Sequence, residues 1–294
     1  MDVFSELMRS SRGYLREAAA SAARELGLFE SLPLRAESLP HSLRVEPRRL
    51  RALVRVLLLE GILLDTDGLL RKGVLPAPRA LPREGWGRLA EVIRQDRPLP
   101  EDGAGEPLRR FHDQLRAAGA EPAREVAMKL GPRGPLLDLG GGAGAYAAAF
   151  LHAWPGERAI VADRAPVLQL AREAVPGAEL AALDLLGPEP WPPGARVALF
   201  ANVLHLFPAR DAARLVARAA RNLLPGGTVA VKDFAADSEA GILFSLNMAL
   251  FTAEGEVHAA ADLQTFLRDA GLRDVRAERL LCAPECLLVR GTAP

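Results

Sequence analysis

The chain has 294 residues, with 37 Lys and Arg against 37 Asp and Glu. That length supports a sizeable core and two domains, and the balanced charge leaves no global field to draw nucleic acid or an anionic membrane. No apolar run reaches the roughly 18 residues of a membrane span, and the start, Met1 to Glu6, lacks a basic-then-apolar signal. Cys282 and Cys286 are spaced for neither a zinc knuckle nor a redox pair, so they read as reduced thiols of a cytoplasmic protein.

Leu15, Ala18, Ala19, Ala22, Ala23 and Leu26 recur at helical spacing and predict a helix over 10–26, stopped by Gly27. A short second helix is expected over 39–43. Pro47, at a favoured first-turn position, opens a third, with Leu50, Leu53, Val54, Leu57 and Leu58 on one face and Gly61 at its end. Ile62-Leu63-Leu64, Asp65-Thr66-Asp67-Gly68 and Leu69-Leu70 predict a hairpin. Together they form a winged-helix-like module over 1–75. Arg48, Arg49, Arg51 and Arg55 on the third helix would suit a DNA groove. With Glu46 and Glu60 beside them in a neutral chain, they read instead as a solvated face, and no nucleic-acid partner is expected. The apolar opening residues Val3, Phe4, Leu7 and Met8 find no partner within so small a module, which predicts a homodimer through the N-terminal helices.

Residues 76–130 read as a helical connector, rich in Pro and Gly up to Pro107. Helices are expected from Trp86 to Ile93 and over 108–130, and the apolar Trp86, Leu89, Val92, Ile93, Phe111 and Leu115 argue against disorder. From 131 to 294 strands and helices alternate. Strands are predicted at 136–139, 158–163, 178–183, 196–202, 227–233, 274–279 and 285–290, with helices at 165–175, 208–224 and 260–270 among them. Such alternation implies a Rossmann-like α/β domain, a mostly parallel seven-stranded sheet covered on both faces. Ligands of these sheets bind at the C-terminal strand ends, where Asp138, Asp163, Asp184 and Asn202 fall.

Gly140, Gly142 and Gly144 follow the apolar run ending in Leu137-Asp138-Leu139 and precede an alanine-rich helix. Strand, glycine turn and helix N-terminus bring bare backbone close to a nucleotide-like ligand, and spacing alone also allows a dinucleotide. Asp163 lies where a carboxylate reaches a ribose diol. Capping of the following helix is the other reading for these acids. His205, just after a strand and before a helix, can accept a hydroxyl proton from a second substrate; a capping or core histidine is the plainer reading.

Several motifs in order resemble the class I S-adenosylmethionine (SAM)-dependent O-methyltransferases, the group of plant caffeate and flavonoid enzymes and bacterial polyketide-tailoring enzymes. They are Leu136 to Gly144, Val161 to Leu168, Val203-Leu204-His205-Leu206-Phe207-Pro208, Asn222 to Gly227, and Leu246-Asn247-Met248. The resemblance implies SAM as cofactor. Gly140 and Gly142 would line its methionine moiety, Asp163 would hold the ribose and Asp184 would face the adenine amine, with Asp138, Gly144 and Asn202 also expected among the cofactor-binding residues. It makes His205 the base, oriented by Asp233 in place of the usual Glu, with Glu256 the approximate match to a second orienting acid. The group normally has Asp and Trp where this chain has Leu206 and Phe207. Phe111, Phe244, Asn247, Met248 and Phe251 are the expected acceptor-binding residues, and the N-terminal module is expected to mediate the dimer. Two other readings stand. His205 and His258 with a carboxylate could hold a metal and serve C-methylation of a keto acid. Alternatively, a winged-helix regulator could bind SAM without transferring its methyl group.

Overall fold

A computed structural model describes residues 3–78, 81, 85–100 and 106–294, without the side chains of 3–11, 106–115 and 118. The chain divides into two units.

The first unit comprises Leu7–Glu101 and Asp237–Glu256. It holds α1 (Val3–Glu25), β1 (Leu34–Arg35), α2 (Leu39–Leu43), α3 (Pro47–Leu59), β2 (Leu63–Thr66), β3 (Leu69–Lys72) and α4 (Leu89–Gln95). The strands pair antiparallel in the order β1-β3-β2. Gly27 and Gly61 end α1 and α3 alike: the next residue's N–H returns to a carbonyl five residues back, Leu28 to Ala23 and Ile62 to Leu57, each at 2.9 Å. Leu15, Ala19 and Ala23 of α1 pack with Leu50, Leu53 and Leu57 of α3 in one core. A further helix, Glu239–Phe251, supplies Leu243, Leu246 and Leu250 to that same core. Each buried leucine contributes about 1.5–3 kcal/mol, so this late segment is an integral wall of the unit.

The expectation of a solvated arginine face on α3 is corrected at two positions. Arg49 is fully buried. Its guanidinium bonds Asp96 at 2.7 Å and donates to the carbonyls of Ala249, Thr252 and Ala253. Arg48 donates to the carbonyls of Gly255 at 2.8 Å and Ala253 at 2.7 Å. Carbonyls at a helix C-terminus lack intrahelical donors. The two guanidiniums supply them, so these arginines staple the chain and are not available to DNA. Arg51 alone of the four is exposed.

The second unit comprises Asp102–Ala236 and Val257–Pro294 with the first six residues. It contains α5 (Glu106–Leu130), β4 (Leu136–Leu139), α6 (Ala145–Ala153), β5 (Ala159–Asp163), α7 (Ala165–Ala174) and β6 (Glu179–Ala182). After these come β7 (Ala195–Ala201), α8 (Ala209–Asn222) and β8 (Leu223–Phe234). In chain order the first unit's Glu239–Phe251 is α9, followed by α10 (Ala260–Asp269), β9 (Arg273–Arg279) and β10 (Cys286–Thr292). The seven strands run β6-β5-β4-β7-β8-β10-β9. The first five are parallel and β10 is antiparallel to both its neighbours. Strand order reverses between β4 and β7, the switch point where such sheets open a ligand crevice. The loops after both strands emerge there.

Candidate active site

β4 ends at Leu139 and the chain turns through Gly140 to Gly144 into α6. Gly140, Gly142 and Gly144 hold φ of +69°, +58° and +77°, values that L side chains adopt only at a cost. Space is equally restrictive. A Cβ on Gly140 would stand 2.8 Å from Val203, and one on Gly141 would stand 2.8 Å from the Asp138 carboxylate.

Two carboxylates border this turn. Asp163, ending β5, accepts from the Gly142 N–H at 2.8 Å and the Arg164 N–H at 2.7 Å. A carboxylate has about four acceptor positions, so capacity remains for a diol. Asp138 is fully buried; Oδ2 accepts from the Ala147 N–H at 3.2 Å, while Oδ1 has no partner among the described residues. Burial above all, with the nearby Asp163 charge, pushes the Asp138 carboxyl up to about 7 against the pull of that N–H. Asp184 lies on the exposed loop beyond β6, and its Oδ1 accepts from the Leu186 N–H at 3.0 Å. Arg218 of α8 holds this loop through the carbonyls of Leu185, Gly187 and Glu189, and its guanidinium lies 4.4 Å over Trp191.

Across the switch point, β7 gives way to Asn202 (φ +58°) and a 3-10 turn, Leu204–Leu206. His205, on that turn, is buried at 4 % exposure. Its Nδ1 lies 2.6 Å from Asp233 Oδ1, and its main-chain N–H donates to Asp233 Oδ2 at 3.3 Å. The Phe234 N–H also donates to Asp233, at 2.8 Å. Burial would raise the Asp233 carboxyl, but the charge and hydrogen bond of His205, the Lys232 charge and the Phe234 N–H together hold it below the usual range. An ionised carboxylate only accepts, so Nδ1 carries the imidazole proton and Nε2 is the basic nitrogen.

His258 does not pair with His205 around a metal. Its Nε2 lies 3.1 Å from the Leu204 carbonyl, an acceptor, so that nitrogen carries a proton and donates; the ring meets Phe266 edge-on at 5.5 Å. Among the described residues no group of three or more His, Cys, Asp or Glu could hold a metal ion. Glu256, Phe244, Asn247, Met248 and Phe251 lie in the first unit, on or just after α9. Phe244 and Met248 are buried, and Phe251 meets Trp86 edge-on at 6.1 Å in that unit's core. Phe111 lies outside the residues with described side chains. One group escaped the sequence reading, Lys232 on β8, whose Nζ donates to Asn202 Oδ1 at 2.7 Å. Its signal was a lysine set directly after Thr228-Val229-Ala230-Val231 in an apolar strand.

A family model described as an O-methyltransferase domain matches residues 123–273, just over half of the chain. The chain belongs to this family. Among its relatives, the 3-hydroxy-5-methyl-1-naphthoate 3-O-methyltransferase of Streptomyces sahachiroi is 26 % identical, over 91 % of this chain and 89 % of that one. An O-methyltransferase family 2 protein from Planctomyces limnophilus, solved with apigenin, superposes with a TM-score of 0.75 at 23 % identity, covering 100 % of this chain and 97 % of that one. Human N-acetylserotonin methyltransferase, solved with SAM, gives 0.62 at 22 % identity, covering 100 % and 98 %. The enzyme is a SAM-dependent O-methyltransferase that moves a methyl group to a hydroxyl of a small molecule. Its residues suit that cofactor: a turn in which a Cβ at Gly140, Gly141 or Gly144 would clash, a carboxylate with room for a diol, and a buried Asp138 oxygen with no partner among the described residues.

Proposed function

We propose that the methyltransferase acts on an aromatic, polyketide-type hydroxyl, with His205 as general base oriented by Asp233. The observation that carries the assignment of the base is the 2.6 Å contact between His205 Nδ1 and Asp233 Oδ1, buried at the C-terminal edge of the parallel sheet. When bound, SAM supplies a methyl group on a sulfonium, already activated toward attack by oxygen. Asp163 binds the ribose hydroxyls, and the Gly140–Gly144 turn and Asp138 receive the methionine end. Asn202 and Asp184 complete the cofactor set. His205 takes the acceptor's hydroxyl proton at Nε2, and Asp233 stabilises the imidazolium that results. The buried setting strengthens that pairing by excluding water. The aromatic acceptor is supported by the relatives, one named for a hydroxynaphthoate and one solved with a flavone. The N-terminal module, with its helices and small antiparallel sheet, is read as winged-helix-like and dimerising.

Turnover of SAM against a panel of phenols, naphthols, keto acids and amines, with and without chelator, tests this reading. Methylation of phenolic oxygen, unchanged by chelator, is expected. Methylation confined to keto-acid carbon, or lost on chelation, would contradict it.

A further inference from the structure

Lys232 is a buried cation whose charge helps keep Asp233 ionised and whose Nζ bonds a different residue, Asn202. It is 3 % exposed and follows Val229, Ala230 and Val231, all fully buried, on β8. An ammonium in such a place carries a large desolvation cost, and an apolar residue would pack there more favourably. Burial alone would lower its pKa, but the neighbouring Cys286, Tyr146 and Asp233 hold it above the ordinary lysine value, so it stays charged. Retaining the charge calls for a task, and the contacts indicate one.

Asn202 is held twice by Lys232. Its main-chain N–H donates to the Lys232 carbonyl at 2.8 Å, and its side-chain Oδ1 accepts from Nζ at 2.7 Å. An ammonium can only donate, so it fixes which end of the amide faces inward. Oδ1 must point to Lys232, and Nδ2 is left as the donor on the opposite side. Asn202 also sits at φ +58° where β7 passes into the turn bearing His205. The next residue, Val203, packs on Gly140, so close that a Cβ there would clash at 2.8 Å. Two consecutive residues of β8 thus secure the two ends of the segment 202–205, Lys232 through Asn202 and Asp233 through His205.

We propose that Lys232 is a positioning residue of the cofactor site: it locks the Asn202 amide with Nδ2 outward, as a hydrogen-bond donor for the carboxylate of the bound cofactor. This rests on the reading of Asn202 as a cofactor residue, and the test separates the two. S-adenosylhomocysteine affinity is measured by calorimetry for Lys232→Met, Asn202→Ala and the double variant, with melting temperatures alongside. Each single variant should bind about tenfold more weakly, and the double variant no more weakly than either, because residues acting through one contact are not additive. The Lys232→Met melting temperature should stay level or rise, since a buried charge has gone. Lys232→Gln, which keeps a donor without the charge, should recover most of the affinity.

If Asn202→Ala binds normally, the reading of Asn202 fails and the inference with it. If Asn202→Ala weakens binding but Lys232→Met does not, or if the two effects add, Lys232 is not the positioning group. Should Lys232→Met fail to fold, Asn202→Asp decides. It keeps an acceptor for Lys232 and replaces the outward donor with an oxygen. Affinity should fall by tenfold or more with the fold intact, and unchanged affinity would overturn the proposal.

Discussion

At the scale of single residues, the proposed chemistry rests on the glycine turn, Asp163, His205 and Asp233. Asp163→Ala should weaken S-adenosylhomocysteine binding more than tenfold, about 1.4 kcal/mol; an unchanged calorimetric titration would refute the ribose assignment. Asp138 makes a different prediction. Its carboxyl titrates at about 7 in the folded chain against 3.8 ordinarily, so the folded state holds the proton through that window. The stability this group contributes is full below about pH 4 and is lost as pH rises toward 7, at up to about 1.4 kcal/mol per pH unit. Asp138→Asn should therefore gain over the parent in melting temperature between pH 5 and pH 8, and a constant difference would contradict the burial effect. These residues could be read from sequence because each sits at a strand end, where an acid or histidine stands out from an apolar run. The tie of His258 to the Leu204 carbonyl could not. It joins residues 54 apart, and nothing local distinguishes a donor to the main chain from a metal ligand.

At the scale of elements, the sheet was legible to within a residue or two at most strand ends, since apolar runs bounded by Gly, Pro and Asp mark it. β8 extends further, from Leu223, because Pro225-Gly226-Gly227 reads as a turn. α9 carried no periodic signal: Ile242, Leu243, Phe244, Leu246, Met248, Leu250 and Phe251 are apolar on every side, so no face stands out. That helix is anchored by Arg48 and Arg49, whose partners lie about 200 residues away in sequence. Arg49→Leu would leave the Ala249 carbonyl without its arginine donor and Asp96 without its guanidinium partner. It should cost about 2–4 kcal/mol by urea denaturation, given the penalty for unsatisfied buried groups. Arg51→Ala, at an exposed position, should stay within about 0.5 kcal/mol. Equal effects would mean that the staple contributes nothing.

At the scale of the whole molecule, a neutral chain with an apolar first segment is expected to associate with itself. Light scattering at micromolar concentration should give twice the 31.5 kDa of one chain, and a monomer would overturn the dimer. The reversal of strand order between β4 and β7 sets the glycine turn and the His205 turn side by side; the alternation of strands and helices implied the parallel sheet and its ligand-binding edge, and the order itself came from the structure. On the proposed reading, that convergence joins donor binding to proton removal. Its decisive measurement is single-turnover methyl transfer by His205→Ala on a series of phenols of falling pKa, with S-adenosylhomocysteine affinity determined in parallel. The rate should drop by about 10²- to 10⁴-fold for weakly acidic phenols and recover toward the parent for phenols already ionised, while affinity holds. Full turnover by the variant, or a loss independent of phenol acidity, would show that His205 is not the base.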